Sequence, residues 1–401
     1  MTSPDGASDR FSPELRASLF HFTVFASVGV VSAYFPIWLA DKGISSTEIG
    51  IINAAPILIA LLLNVYIGRL ADRASDWRTA IIVLSALSGI ASLAFFLELN
   101  FWGVLIAFAL TTVPGGALVP VIDAATVRMT QRRGTDFGFI RAWGTVGYAV
   151  VAGLSGLVIG WLGPVAFVPL FVVMSLLRTG FAFPLPTFRA PPHETTAKPK
   201  SSGPLRSLLK LWFLLPCVAF ACMQATHFFL GSLGALVWQQ QGIAEYWIGP
   251  LIMVSAGSEA LMMFLWRRVG RQMTARTMLI IAGAVATVRW IIMALNPALP
   301  LLFVLQLLHS VTYAFSYFGI VHFIANWASE EVAAEAQSFA WALAQVASVL
   351  TLVGFGWLVG QIGGQTYFAA ALLSAIAAGA AWWSLKLKPA HGHSEPVADA
   401  R

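Results

Sequence analysis

Ionisable side chains interrupt several otherwise apolar stretches of this sequence. They are Asp123, Arg141, Glu259, Arg289, His21, His227, His309 and His322. Burying such a group in lipid costs a few kcal/mol or more, so these residues are functional candidates and are expected to have partners. Two carboxylates and two guanidinium groups predict ion pairs. Carboxylates beside histidines predict proton exchange.

Asp123 and Arg141 flank a predicted helical hairpin in the first half of the chain. Each lies nine residues from position 132, the middle of the turn. Both side chains are therefore expected at the same depth. We predict an ion pair that contributes to a binding site. The alternative is a salt bridge between helices that touches no ligand.

Glu259 is the deepest carboxylate of the second half, and Arg289 and His309 lie on the next two predicted helices. A low dielectric disfavours a charged carboxylate, whereas a nearby guanidinium favours it. A carboxylate between these influences could carry a proton if the arginine moved away during a cycle. We predict proton coupling by these three residues, with a permanent structural pair as the alternative.

Two further helices have polar faces. The residues recur at steps of three and four, which is typical of one face of a helix. They are Gln224, His227 and Gly231 on the seventh predicted helix, and Gln306, His309, Tyr313 and Ser316 on the tenth. Gln224 and His227 are predicted to bind a ligand. The alternative for His227 is a histidine that only forms hydrogen bonds between packed helices and binds no ligand.

The composition is much more apolar than that of a soluble protein. Charged residues are 10% of the 401, against about a quarter in soluble domains, and hydrophobic residues are 58%. These values exclude a disordered chain, a coiled coil and an ordinary cytosolic enzyme. The net charge of +6 is explained by its distribution, so no nucleic-acid partner is expected.

Twelve windows are long and apolar enough to cross a bilayer, which takes about 20 residues. Lipid offers no partner to backbone polar groups, so these windows are predicted to be helices in an all-α integral membrane protein. The first lacks a small-residue cleavage site and is predicted to remain as a helix. The windows are 19–40, 47–67, 79–97, 101–127, 139–162, 164–186, 208–238, 246–266, 277–295, 299–326, 336–359 and 364–385.

The basic residues give an orientation. All Lys and Arg except Lys42 and Arg289 fall in the tails or in alternate loops and their edges. The positive-inside rule then puts both termini in the cytoplasm. We predict a multi-pass protein of a bacterial-type cytoplasmic (inner) membrane.

A Pro-, Ser-, Thr- and Lys-rich segment divides the chain after six windows. A spacing of 199 residues relates Ile49 to Ile248 and Arg69 to Arg268, which indicates duplicated halves with a site between them. The predicted divisions are a tail at 1–18, a six-helix bundle at 19–186, a linker at 187–207, a second six-helix bundle at 208–386 and a tail at 387–401.

The loop after the second window carries a recognisable motif. Gly68, Leu70, Asp72, Arg73 and Arg78 resemble the loop signature of the major facilitator superfamily. The resemblance implies the major facilitator fold, with twelve transmembrane helices in two bundles. It also implies that Gly68, Asp72, Arg73 and Arg78 form a gating loop. A charged loop that only fixes topology is the alternative.

Segments around the ionisable residues give a narrower resemblance across the whole chain. Residues 137–147, 287–290 and 307–309 and the pair Ser258-Glu259 resemble the 3-phenylpropionate permease family and, more distantly, the lactose permease (oligosaccharide/proton symporter) family. This resemblance implies a permease.

The lactose permease family also implies roles for single residues. Asp123, Arg141 and Tyr148 stand at its sugar-binding carboxylate, arginine and aromatic positions, and Glu259, Arg289 and His309 at its coupling network. Thr312 replaces the carboxylate that exchanges the proton there, and Gln306 and Ala344 replace two lysines. Neither its sugar specificity nor its coupling route therefore follows from the resemblance.

The expected function is proton-coupled uptake of a small organic solute by alternating access, with an aromatic carboxylate such as 3-phenylpropionate as the expected solute. Alternatives are sugar/proton symport, efflux by antiport and a non-transporting receptor. Trp161 stands where the antiporter glycine motif needs proline, which disfavours efflux. The sequence has no GxSxG or HExxH motif and no paired Cys/His set, so we expect neither an enzyme nor a cofactor. The expected partners are the solute, the proton and the bilayer, around a monomer.

Overall fold

The computed structural model of the chain describes residues 11–188, 210–269, 273–328 and 330–387. Within these ranges ten segments are long and apolar enough to cross a membrane, and the last, Glu335–Lys386, contains two helices. The protein is therefore an all-helical, multi-pass membrane protein. Residues 1–10 of the predicted N-terminal tail, residues 189–209 around the predicted linker and residues 388–401 lie outside the described ranges.

The first half of the chain forms six long helices that pack on one another. Helix α1 contacts α5 and α6, and α3 and α4 pack side by side. The helices are α1 (Pro13–Asp41), α2 (Ser46–Arg73), α3 (Trp77–Ser92), α4 (Phe101–Arg133), α5 (Phe137–Leu162) and α6 (Phe167–Ala182), with short 3₁₀ turns at Leu93–Phe96 and Pro164–Ala166.

The second half repeats this plan with one interruption. Helix α7 contacts α12 and α13, and α9 contacts α11 and α13. The tenth crossing combines α10, a π-helical turn at Ser310–Ala314 and α11. The helices are α7 (Leu211–Gln240), α8 (Glu245–Val269), α9 (Ala275–Ala294), α10 (Leu299–Leu307), α11 (Phe315–Trp327), α12 (Glu330–Ile362) and α13 (Tyr367–Lys386).

Polar caps set the ends of several helices. The Ser12 hydroxyl accepts a hydrogen bond from the backbone N–H of Leu15, so α1 begins before the apolar window at 19. Asn100 and Asp136 cap α4 and α5 in the same way, and Gly134 ends α4 in the left-handed region at φ 68°. Helices α1, α4 and α5 therefore extend beyond their apolar windows, because caps and charged turns continue them outside the hydrophobic segment.

The two halves meet near one end of the molecule, called here the closed end, where α1 ends at Asp41 and α2 begins at Ser46. The most extensive contacts between them are those of α1 with α7, α2 with α12, and α5 with α8. Glycines permit the close approach, since a Cβ on Gly50 would overlap the carbonyl oxygen of Leu352, and one on Gly249 would crowd α5. The Tyr34 hydroxyl also donates to the carbonyl oxygen of Glu245 across this junction.

The buried apolar residues are distributed in the same way as these contacts between the halves. One apolar cluster spans both halves at the closed end and contains Phe35, Trp38 and Phe167 with Leu236 and Ile248. At the other end, called the open end, each half has a cluster of its own, built in the second half around Phe213, Phe220 and Phe323. The molecule is therefore joined at one end and divided at the other.

Candidate functional site

A cavity of about 630 Å³ lies between the halves. Its walls come from α1, α2 and α5 of the first half and from α7, α8, α10 and α12 of the second. The charged or polar lining residues are Ser32, Asn53, Arg141, Thr145, Tyr148, Gln224, His227, Ser232, Ser255, Glu259, Gln306, His309 and Tyr313. The rest of the lining is largely apolar and includes Phe25, Phe228, Trp238 and Trp341. A site of this size can hold a small organic molecule.

Asp123 and Arg141 form the charged group of the first half. The Arg141 Nε lies 3.3 Å from Asp123 Oδ1, and both side chains are about 30% exposed. The Arg141 guanidinium also lies over the Phe25 ring, 4.1 Å from its centroid. The contact confirms the predicted pairing of these two residues. The charge of Arg141 is thus largely balanced on its own side of the cavity.

His21 lies behind this pair and is fully buried. Its Nε2 contacts the Thr126 hydroxyl at 3.3 Å, and its Nδ1 is 3.9 Å from Asp123 Oδ1. Tyr148 lies on the cavity wall, where its hydroxyl accepts a hydrogen bond from Ser32 at 3.1 Å. Gly29 allows α5 to approach α1 beside Tyr148.

Glu259 and His309 form the ionisable pair of the second half. The His309 Nε2 lies 3.6 Å from Glu259 Oε2, and the His309 ring stacks on Tyr313 with an interplanar angle of 8°. Both Glu259 and His309 line the cavity. The structure therefore brings together two of the three residues predicted for proton coupling.

Arg289 has different neighbours from those the sequence suggested. Its guanidinium is fully buried and donates to Gln306 Oε1 at 2.9 Å and to the Thr312 hydroxyl at 3.1 Å. In the described ranges it forms no ion pair with Glu259 or with any other carboxylate. Its expected pairing with Glu259 is corrected, because side chains of α10 and the π turn accept hydrogen bonds from its two terminal nitrogens. The indole of Trp290 lies against the guanidinium, with the Arg289 Cζ 4.6 Å from the ring centroid.

His227 takes part in the same hydrogen-bond network. Its Nδ1 lies 2.7 Å from the carbonyl oxygen of Met223, which can only accept, so Nδ1 carries the proton. In the neutral ring, Nε2 must then accept from the Thr312 hydroxyl at 3.0 Å. Both ring nitrogens are thus engaged within the protein. Gln224, one turn earlier, lines the cavity and its Nε2 has no partner in the described ranges.

Ser255, Gln306 and Thr312 shape this wall, although the sequence prediction gave none of them a role in the site. Ser255 donates to Gln306 Oε1 at 2.6 Å, and Thr312 links Arg289 to His227. The four-residue step from Ser255 to Glu259 was a usable signal, since it puts both on one face of α8. Thr312 had the same kind of signal, since it lies three residues after His309 and four before Ser316 on the polar face of the tenth crossing.

The predicted gating loop is described in part. Helix α2 continues through Gly68 and Asp72 to Arg73. The surroundings of Gly68 and the side chain of Asp72 are outside what the structure describes. Arg73 is exposed, and the Arg78 guanidinium donates to the carbonyl oxygen of Phe183 at 2.5 Å. The Asp76 carboxylate caps α3 through the backbone N–H of Arg78 and accepts from the N–H of Phe188. This loop therefore holds α3 to the end of the first half.

Two helical halves around a central polar cavity are the architecture of a transporter of the major facilitator type. Residues 15–370 match the model of the MFS_1 like family, so the chain belongs to that family. The chain is 27% identical over 373 residues to the probable 3-phenylpropionic acid transporter of Escherichia coli (strain K12), covering 89% of this chain and 94% of that protein. The homologues and the fold are those of transporters and not of enzymes.

Two further comparisons agree with this class. The maltose permease of Geobacillus stearothermophilus is 28% identical over 295 residues, which cover 70% of this chain and 71% of that permease. The crystal structure of nucleoside transporter NupG superposes with a TM-score of 0.74 at 16% identity, covering 94% of this chain and 100% of that one. The structural likeness concerns the fold alone.

Proposed function

We propose that this protein is a proton-coupled symporter that takes up a small aromatic carboxylate by alternating access. The observation that carries the proposal is the cavity between the halves, where Arg141 of α5 and the Glu259 and His309 pair line one space large enough for a small molecule. A proton-accepting pair and a solute site in one cavity are what coupling requires, because each ligand must favour the same conformational state.

The proposed topology has twelve membrane crossings in two bundles of six, with both termini in the cytoplasm of a cell with a bacterial-type inner membrane. The distribution of Lys and Arg supports this orientation, since the basic loops join helices at the open end. The core that divides at the same end supports an inward-facing state. The 187–207 segment then links the bundles on the cytoplasmic side, the residues from Gly68 to Arg78 act as the gating loop, and the protein works as a monomer.

Glu259 is the proposed proton carrier, with His309 as its partner. A carboxylate beside a histidine at a cavity wall can exchange a proton with water on whichever side the cavity is open. Arg289 serves this pair from behind, through Gln306 and Thr312, rather than by direct contact. Asp123, Arg141, Tyr148 and Gln224 are the proposed solute contacts, and His227 positions the wall behind Gln224.

Two observations support an aromatic acid as the solute. The cavity has an apolar and aromatic lining, and behind its Gln306 side chain lies a cation, Arg289, that forms no ion pair with a described carboxylate. The chain is also similar, over most of both lengths, to the probable 3-phenylpropionic acid transporter, whose name gives such an acid as its solute.

Uptake into proteoliposomes tests the proposal. Purified protein should accumulate radiolabelled 3-phenylpropionate against its gradient when the lumen is made alkaline, and a protonophore should abolish the accumulation. Accumulation that is the same with and without the imposed gradient would contradict proton coupling. Export of the acid under the same gradient would instead indicate antiport.

Sugar symport is the second candidate, favoured by the neutralised Asp123 and Arg141 pair near Tyr148. Sugar hydroxyls can bond both charges of such a pair while the ring packs on an aromatic face. The similar maltose permease is consistent with this candidate. Saturable binding of a galactoside or maltose, together with no binding of 3-phenylpropionate, would replace the acid by a sugar and leave the transporter class unchanged.

A further inference from the structure

The amide of Gln306 has only one possible orientation. Its Oε1 side faces the Arg289 guanidinium at 2.9 Å, and an arginine can only donate hydrogen bonds. The atom facing Arg289 must therefore be the oxygen, and it also accepts from the Ser255 hydroxyl at 2.6 Å. The amide nitrogen is fixed on the opposite side. The ambiguity that usually attends a glutamine amide is removed here by the chemistry of its neighbour.

That nitrogen is a donor without an acceptor. Gln306 is fully buried and lines the cavity, and its Nε2 has no hydrogen-bond partner among the described residues. A buried donor left unsatisfied is unfavourable, so such groups in native proteins are usually completed by water or a ligand. Gln224 presents a second unpartnered amide nitrogen from α7, the helix joined to this network through His227 and Thr312.

The charge behind the amide favours an anion. Arg289 carries a positive charge that no described carboxylate balances, and its hydrogen bond to Gln306 Oε1 polarises the amide toward the cavity. Arg141, the other cation near the cavity, already has Asp123 at 3.3 Å. When Glu259 on the same wall holds its proton, as the proposed coupling requires of the loaded state, the net positive charge is therefore on the wall of the second half.

We infer that the solute's carboxylate binds to the second half of the cavity, where the Gln306 amide, held by Arg289 and Ser255, donates to it with Gln224 as a second donor. Arg289 acts through Gln306 without touching the solute. The solute's aromatic part then extends toward the apolar lining of the first half. This inference rests on the proposed uptake of a carboxylate and assigns the residue that distinguishes the acid from its neutral analogues.

Equilibrium binding of 3-phenylpropionate and its neutral amide, 3-phenylpropanamide, to purified protein tests this assignment. Gln306→Glu replaces the donor by an acceptor that pairs with Arg289, so affinity for the acid should fall by more than about tenfold, the effect of one charge-assisted hydrogen bond. Affinity for the amide should change by less than about threefold. Gln306→Met removes the donor without adding charge, and it should also lower the affinity for the acid.

Gln240→Glu is the matched control, since it makes the same chemical change at an exposed residue at the closed end. It should leave both affinities unchanged. Equal losses for acid and amide in the Gln306 variants, or an unchanged acid affinity in either folded variant, would overturn the inference and leave the proposed function standing. A parent protein that binds no 3-phenylpropionate would overturn the proposed solute, and this assignment with it.

Discussion

Asp123 and Arg141 form an ion pair that is intermediate between a surface and a buried one. Exposed pairs contribute about 0.2 to 1 kcal/mol, whereas breaking a buried pair costs about 3 to 5 kcal/mol. With both side chains about 30% exposed, Asp123→Ala should destabilise the protein by about 1 to 2 kcal/mol. Asp123→Ala with Arg141→Ala should recover part of this loss, because no unpaired charge remains. Thermal denaturation in detergent measures both, and equal midpoints for the single and double variants would contradict the pair.

The proposed role of Glu259 as the proton carrier can be tested by replacing this one residue. Glu259→Gln keeps the shape and removes the exchangeable charge beside His309. We expect loss of accumulation driven by a pH gradient while exchange of labelled for unlabelled solute continues, because exchange needs no net proton release. Glu98→Gln, at an exposed loop residue, is the control and should leave both activities intact. Undiminished uphill uptake by the Glu259 variant would assign the proton to another residue.

The helix junction at the closed end gives a prediction at the scale of elements. A Cβ at Gly50 would overlap the carbonyl oxygen of Leu352, whereas one at Gly354 would meet nothing within 4 Å. Gly50→Ala should therefore separate α2 from α12, and Gly354→Ala should not. Spin labels on Lys42→Cys and Gln240→Cys, one in each half at this end, should report a longer distance in the Gly50 variant. Equal distances in the two variants would show that the junction accommodates the methyl group.

Helices and their order were largely predictable from the sequence, because lipid makes apolar length a direct signal for a crossing. The pairing of Asp123 with Arg141 followed from the turn between two adjacent helices. The neighbours of Arg289 did not follow, because Gln306 and Thr312 reach it from another crossing, and hydropathy does not specify which side chains of two packed helices meet. Residues on separate helices, such as Ser255 and Gln306, meet only through packing, which a single sequence does not specify.

At the scale of the whole molecule, the shape of the core relates the fold to the transport cycle. The apolar cluster shared by both halves at the closed end must separate for the cavity to open there, and the clusters at the open end must approach each other. Each half keeps its own buried core at the open end, so it can move largely as a rigid body. Small residues such as Gly50 and Gly249 at the junction allow close packing without interlocked side chains that would resist separation.

The orientation and the direction of opening can be tested together by thiol labelling. In a background with Cys217→Ala and Cys222→Ala, we expect a cysteine at Ala260, on the cavity wall toward the open end of α8, to react with a membrane-impermeant maleimide mainly in inside-out vesicles. A cysteine at Lys42, exposed at the closed end, should react mainly in right-side-out vesicles. Added 3-phenylpropionate should slow labelling at residue 260 alone, since only that residue lines the cavity. The reverse sidedness at both sites would invert the topology, and labelling at residue 260 from the side that reaches residue 42 would mean that the cavity opens through the glycine junction.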